Sequence, residues 1–277
     1  MRDQACVRFL QWCLPRLELR WPGFRKVRST VRKRLRRRLR ELGLADFDAY
    51  REYLETHAEE WARLDGFCRI PISRFYRDAG VFQALEDTIL PAIAGRAIER
   101  GDDRLRLWCA GAASGEEPYT LALLWRLQLA PRFPTLDLEI VATEVDDHLL
   151  ARADRGVYGA GSLARLPEAW HRAGFQRFGD DFRLKDAFRA GVRFEKMDIR
   201  QEMPAGPFDL IACRNLVFTY FAEPLQQRLL GKLTRRLQPS GILVIGSHER
   251  LPVVDAPLIP AAGSHPIFRK TTGKELA

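Results

Sequence analysis

Two textures of hydrophobic patterning divide the chain. Through roughly the first 70 residues the apolar positions recur at helical spacing, as in Val27, Val31, Leu35 and Leu39, four residues apart. From Leu105 onward, short apolar runs alternate with helical ones, the pattern of a mostly parallel sheet covered by helices. The runs predict strands at Leu105–Cys109, Leu138–Thr143, Val192–Phe194, Phe208–Cys213 and Ile242–Gly246, with a last one through Pro266–Lys270. Helices are expected at Pro118–Leu129, His148–Asp154 and Pro224–Leu237. The expected architecture is a doubly wound α/β domain over 73–277, preceded by a small all-helical domain over 1–72.

Charge sharpens the N-terminal half of this picture. The chain's net +9 is concentrated in Arg25–Arg40, which holds ten Lys or Arg and no acid. With the apolar stripe, this predicts a helix whose remaining surface is strongly basic, stopped at Gly43. The stretch ADFDAYREYLETHAEEWARL reads as a further helix entered at Asp46. A solvated helix face usually alternates sign, so an unbroken basic one points to an acidic partner surface. Five cysteines, at 6, 13, 68, 109 and 213, form neither a CxxC pair nor a Cys/His cluster, so neither disulfides nor zinc are expected. No run approaches the roughly 18 apolar residues of a membrane span, and MRDQACVRFLQWCLP lacks a signal-peptide pattern, which makes the cytoplasm the expected location.

The chemistry gathers at the carboxyl ends of the predicted strands, where ligands bind in such sheets. After the first strand, CAGAASGEEPYT carries Gly111, Ala113 and Gly115 in a turn that lets backbone approach a ligand closely. It is neither a dinucleotide fingerprint nor a phosphate loop, and Glu116 and Glu117 would repel a pyrophosphate. Ser114 and Glu117 also satisfy a capping box, and Glu116 reads as a first-turn acid complementing the helix dipole. The second strand ends at Glu144, 29 residues beyond Gly115, where an acid accepts hydrogen bonds from ribose hydroxyls. Together these suggest a nucleoside that carries a cation, as S-adenosylmethionine does. The fourth strand ends at Arg214 and Asn215, with Tyr220 a few residues on.

The chain resembles the chemotaxis-receptor glutamate methyltransferases of the CheR type. The likeness rests on SRFYRD at Ser73–Asp78, AGAASGEEPYTLAL, RGVY at Arg155–Tyr158, GPFDLIACRN with the following YF, and LQPSGILVIGSHE. The basic RLRRRLRELGLADFDAY is similar to that family's N-terminal helical domain. The resemblance implies a Rossmann-like class I S-adenosylmethionine methyltransferase fold and a protein-glutamate O-methyltransferase. It implies that Arg77 reaches the cofactor and the incoming carboxylate, with Ser73 beside it. It implies that Glu117 holds the methionine amino group, Glu144 the ribose, and that Asp198 and Ile199 border the adenine. Gly111, Arg214 and Asn215 would line the cofactor, and Tyr220 would sit at the reaction centre. The segment CRNLVFTYF is one residue longer, around Thr219, than the family's usual spacing.

The expected partner is an acidic helical receptor or signalling protein, met through the Arg25–Arg40 helix and recruited without membrane insertion. RFGDDFRLKDAFRAGVRF is expected to be a connecting hairpin. Two alternatives stay open on the sequence: the same fold and cofactor acting on another carboxylate, or a non-catalytic module binding cofactor or nucleic acid.

Overall fold

A computed structural model describes residues 2–272. Its contacts separate two units, one of residues 1–71 with 219–227, the other of 72–218 with 228–277. The sequence reading placed all of 219–227 with the sheet; the structure places it with the helices.

In the helical unit the basic run forms the helix Arg28–Glu41, which buries Val31, Leu35 and Leu39. Val27 precedes it instead of joining the stripe, at its N-cap. Gly43 ends it as expected: at φ +68° it lets the Leu44 amide reach back to the Leu39 carbonyl at 2.9 Å. Asp46 caps the next helix, Phe47–Thr56, accepting from the amides of Asp48 at 3.0 Å and Ala49 at 2.9 Å. That helix does not run on through EEWARL. It stops at His57, whose ring stacks on Tyr53, while the indole of Trp61 takes the Leu54 carbonyl; a separate helix then covers Glu60–Phe67. Residues 219–227 join this unit through the Arg20 amide on the Tyr220 carbonyl (2.8 Å) and the Ala222 amide on the Glu18 carbonyl (2.7 Å). The Arg20 side chain takes the Thr219 carbonyl, and a methyl group at Gly23 would strike that same oxygen, so the longer spacing around Thr219 is met by a bare backbone opposite.

Among the described residues, the sheet unit contains ten strands: β1 Arg104–Ala110, β2 Asp137–Glu144, β3 Val157–Tyr158, β4 Phe175–Phe178, β5 Asp181–Leu184, β6 Val192–Lys196, β7 Phe208–Ala212, β8 Leu237–Val244, β9 Leu258–Pro260 and β10 Ile267–Lys270. Seven form one sheet in the order β6-β2-β1-β7-β8-β10-β9, parallel from β6 through β8, with β10 antiparallel to both neighbours. The chain starts at β1, works outward to β6, then returns to β7 on the other side of β1. Right-handed crossovers in opposite directions place the helices on opposite faces, and the order reverses between β1 and β7.

Two sequence expectations are corrected here. β8 begins at Leu237, earlier than the expected Ile242, and ends at Val244. Pro239-Ser240-Gly241 forms an irregularity within the strand, with Ser240 at φ +58° and the register against β7 shifting between Phe208 and Leu210. The segment 177–194, expected as one connecting hairpin, divides: β4 and β5 form a hairpin that joins a three-stranded antiparallel sheet, β3-β5-β4, because Val157 and Tyr158 of RGVY pair with β5, while Val192–Phe194 belongs to β6 of the larger sheet.

Candidate functional site

The register sets the carboxyl ends of β6, β2, β1 and β7 side by side. Ala110 lies opposite Thr143, Glu144 opposite Lys196, and Cys109 opposite Ala212. The backbone after β1 is held open in three ways. The amides of Gly111 and Ala112 both reach the Thr143 carbonyl at 2.9 Å. The Ala113 amide donates to Glu144 Oε2 at 3.0 Å. Gly111 and Gly115 have φ of +73° and +91°, and a Cβ on Gly111 would lie 2.6 Å from Leu216. Glu144 also accepts from the amides of Val145 (2.8 Å) and Asp146 (3.2 Å), so about one of its roughly four acceptor positions stays open.

The expected capping box does not form. Gly115 occupies the cap and Ser114 turns its hydroxyl to Glu116 at 2.9 Å, because Glu116 is drawn inward. Glu116 is 2% exposed and also accepts from Ser162 at 3.1 Å, with Arg152 at 4.0 Å. It is a structural acid. Glu117 instead meets Arg214, Nη1 to Oε2 at 2.6 Å. The Arg214 side chain, 3% exposed, also gives Nη2 to Asp78 Oδ2 at 2.8 Å and to the Arg77 carbonyl at 2.9 Å, and its guanidinium lies over the Phe82 ring. Its buried Nε has no hydrogen-bond partner among the described residues.

Segment 72–78 is fastened across this cluster. The Phe75 amide reaches the Ser162 carbonyl at 3.1 Å, and the Tyr76 amide reaches the Thr120 hydroxyl at 3.1 Å. Arg77 joins the cluster through its carbonyl, while its guanidinium donates to the Ile72 carbonyl at 2.6 Å. Ser73 is half-buried and makes no hydrogen bond among the described residues. Past β6, the Met197 amide takes the Glu144 carbonyl at 2.9 Å; Asp198 then pairs with Arg200 at 2.7 Å, and Ile199 is buried. Asn215 adopts φ +56°, and its amide donates to Glu249 Oε2 at 2.8 Å, an oxygen that also takes the Gly246 amide. Tyr220 belongs to the helical unit, its ring 5.1 Å from Phe24. Of six non-glycine residues with positive φ among the described ones, four (Tyr76, Asp78, Ala113, Asn215) lie in these segments, the distribution expected where strain serves a ligand.

The family model for the SAM-binding domain of CheR methyltransferases matches residues 72–263, and that for the CheR all-α domain matches 26–64. The chain belongs to the CheR methyltransferase family. This CheR-family chain is 32% identical over 230 residues to a probable chemotaxis protein methyltransferase of Rhizobium etli, covering 80% of this chain and 84% of the relative. It is 32% identical to the chemotaxis protein methyltransferase of Escherichia coli, over 80% of this chain and 76% of that one. It also matches an uncharacterized 104.1 kDa protein of Rhodobacter capsulatus at 30%, there spanning 25% of the relative.

The residues of this CheR-family chain fit S-adenosylmethionine. The open acceptor on Glu144 suits a ribose hydroxyl, and the orphaned Arg214 Nε lies in the cluster that also contains Glu117 Oε1, an oxygen with no partner among the described residues. Sequence reasoning gave no role to Asp78 or Glu249. Both stand in stretches that carry the resemblance, SRFYRD and GSHE, but their partners are 136 and 34 residues away. Burial pushes the thiols of all five cysteines up, Cys6 to about 11 and Cys13 to about 12, which keeps them protonated.

Proposed function

We propose that this chain transfers a methyl group from S-adenosylmethionine to glutamate carboxylates of a chemoreceptor or related helical signalling protein, forming methyl esters. The observation that supports it most is the buried cluster at the strand ends: Arg214 between Glu117 and Asp78, beside a turn that offers backbone and carboxylate but no phosphate loop. When bound, the cofactor supplies an electrophilic methyl on a sulfonium. Glu117 would take its ammonium, Glu144 its ribose, and Asp198 and Ile199 would border the adenine. Gly111 keeps side-chain bulk away, and Arg214 and Asn215 form the wall. Ser73 and Arg77 stand on the segment across the cluster, where Arg77 would swing from the Ile72 carbonyl to hold the incoming carboxylate by charge-assisted hydrogen bonds.

A glutamate side chain has an ordinary pKa of about 4.3 and is already ionised at neutral pH, so the chain needs no general base. Its work is to align oxygen, methyl carbon and sulfur at roughly 3 Å and to exclude water. The relatives are named as chemotaxis protein methyltransferases, which supports a chemoreceptor as the substrate class, and the outward basic residues of helix Arg28–Glu41 offer a surface for it. Among the described residues, no helix is long and apolar enough to cross a membrane.

Incubation with methyl-labelled cofactor and an acidic helical receptor fragment should place base-labile label on the fragment. Arg77→Ala should cut that transfer on the order of a hundredfold or more, the size of a lost positioning contact. Label on a small acid instead of the fragment would move the substrate class, and full activity in Arg77→Ala would remove Arg77 from the reaction centre. Tyr220→Phe tests the expectation for the helical unit by the same readout, with transfer reduced while S-adenosylhomocysteine affinity holds.

A further inference from the structure

The Arg214 cluster contains more negative charge than its own structure needs. Glu117 and Asp78 sit on the two ends of one guanidinium, at 2.6 and 2.8 Å. One cation between two carboxylates leaves one negative charge over. The neighbouring Arg77 does not cancel it, since its guanidinium is on the Ile72 carbonyl and makes no ion pair among the described residues. Were Glu117 the sole counterion of Arg214, the pair would be neutral and an incoming ammonium would meet no net charge. The guanidinium, 3% exposed, would then compete with the ligand for the same carboxylate.

We infer that Asp78 is a positioning residue for cofactor selection: as a second counterion of Arg214, it leaves the Glu117 carboxylate with uncompensated charge and an open Oε1 to accept the cofactor's ammonium group. The inference rests on the S-adenosylmethionine reading of the site. Asp78 precedes the helix Ala79–Ala84 at φ +62°, and its side chain caps none of that helix's amides, so its carboxylate is committed to Arg214. Asp and Asn tolerate this left-handed conformation better than other side chains do. Arg214 is also held from the same segment by the Arg77 carbonyl and lies over the Phe82 ring, so its guanidinium is anchored on the Asp78 side of the cluster. Asp78 thereby acts on the ligand through Arg214.

The test uses the full chain and calorimetry with two ligands that differ in one group: S-adenosylhomocysteine and its deamino analogue, which keeps the carboxylate. The wild type should prefer the amine-bearing ligand. Asp78→Asn, which keeps the left-handed backbone and removes only charge, should reduce that preference by about tenfold, the weight of one hydrogen bond to a charged group. Affinity for the deamino analogue should change less than about threefold, because nothing else in the site is touched. A purely structural role would weaken both ligands alike and leave the ratio intact, which overturns the inference, as does a full preference in the variant. Asp78→Glu, which restores the charge, should recover most of the preference; if Asp78→Asn does not fold, a preference lost in Asp78→Glu despite the retained charge overturns the inference. A wild type that binds neither ligand sinks the cofactor reading itself and, with it, the inference. A wild type that binds S-adenosylhomocysteine while Asp78→Asn keeps its ratio sinks the inference alone.

Discussion

Each unit of the molecule sets an arginine against carboxylate in a mostly buried cluster, one closed and one unfinished. In the helical unit, Arg38 gives Nε to Glu60 Oε1 at 2.8 Å and Nη2 to Oε2 at 2.7 Å, and the Tyr50 hydroxyl adds a third bond at 2.8 Å. Both oxygens of the Glu60 carboxylate are filled and its side chain is 3% exposed, while the remaining Arg38 Nη1 turns outward to the exposed Glu41 at 3.3 Å. In the sheet unit, Arg214 meets two carboxylates, one Glu117 oxygen stays open, and its own Nε is orphaned. Leaving a buried polar atom unsatisfied costs stability, so a closed cluster reads as architecture and an unfinished one as a place where something binds.

Breaking the closed cluster should have the largest effect. Glu60→Gln removes one partner of a buried pair and should cost about 3 kcal/mol of stability, seen as a lowered melting midpoint, with S-adenosylhomocysteine affinity unchanged. The pH dependence sharpens this. Burial pushes the Glu60 carboxyl up, but the hydrogen bonds from Arg38 and Tyr50 outweigh it and hold the pKa below its ordinary value. A depressed folded-state pKa contributes stability above the unfolded value, about 4.3, and loses it as pH falls through the folded one. The stability gap between wild type and Glu60→Gln should therefore be full near neutrality and shrink below about pH 4. A gap that stays constant on acidification would show that Glu60 acts by shape and not by charge.

Glu117→Gln is the counterpart in the unfinished cluster, and its effect should fall on the ligand. With Asp78 still paired to Arg214, the fold keeps its counterion, so the melting midpoint of the free protein should move little. Affinity for S-adenosylhomocysteine should drop about thirtyfold, near 2 kcal/mol, the range for a hydrogen bond to a charged group. If the variant instead melts far lower and binds normally, the contrast between the two clusters is wrong.

Neither cluster was legible as a cluster in the sequence, for one physical reason. Arg38 and Glu60 are 22 positions apart, and Arg214 reaches Glu117 across 97 and Asp78 across 136. Periodicity and local motifs report on neighbours along the chain, and these are neighbours only in the fold. What was legible followed from short-range rules: the strands Leu105–Cys109 and Leu138–Thr143 from their apolar runs, the Asp46 cap, the Gly43 stop, and Glu144 at a strand end. The local rules failed where tertiary contacts overrode them. Glu116 was pulled inside by Ser162, which moved the helix start off Ser114, and Trp61 took the Leu54 carbonyl, which broke a helix that periodicity would have continued. The resemblance supplied the segment Ser73–Asp78, but not that Arg77 would join the cluster by its carbonyl.

The smallest effect concerns the basic helix, where the same distinction between spent and unspent charge divides ten cations. Arg28 and Arg32 pair with Asp3, Arg34 bonds the carbonyls of Phe67 and Arg69, and Arg38 holds Glu60. Arg37 is exposed but pairs with Glu41 at 3.4 Å, and the other five, Arg25, Lys26, Lys33, Arg36 and Arg40, are exposed. The sequence treated the whole run as one docking face; under the proposed function, these five are the charges left to meet a partner. Exposed charges steer and orient a partner more than they hold it, and salt screens them. Neutralising Lys33, Arg36 and Arg40 together should raise the KM for an acidic receptor fragment about fivefold at low salt, with kcat unchanged and the difference gone near 0.5 M, where the Debye length is only about 4 Å. Arg34→Gln should do something else, lowering stability with no salt-dependent change in KM, because its charge is turned inward on two backbone carbonyls. Identical salt-dependent KM effects from the two sets would mean that the inward and outward arginines are not distinct, and that the helix meets its partner as an undivided field.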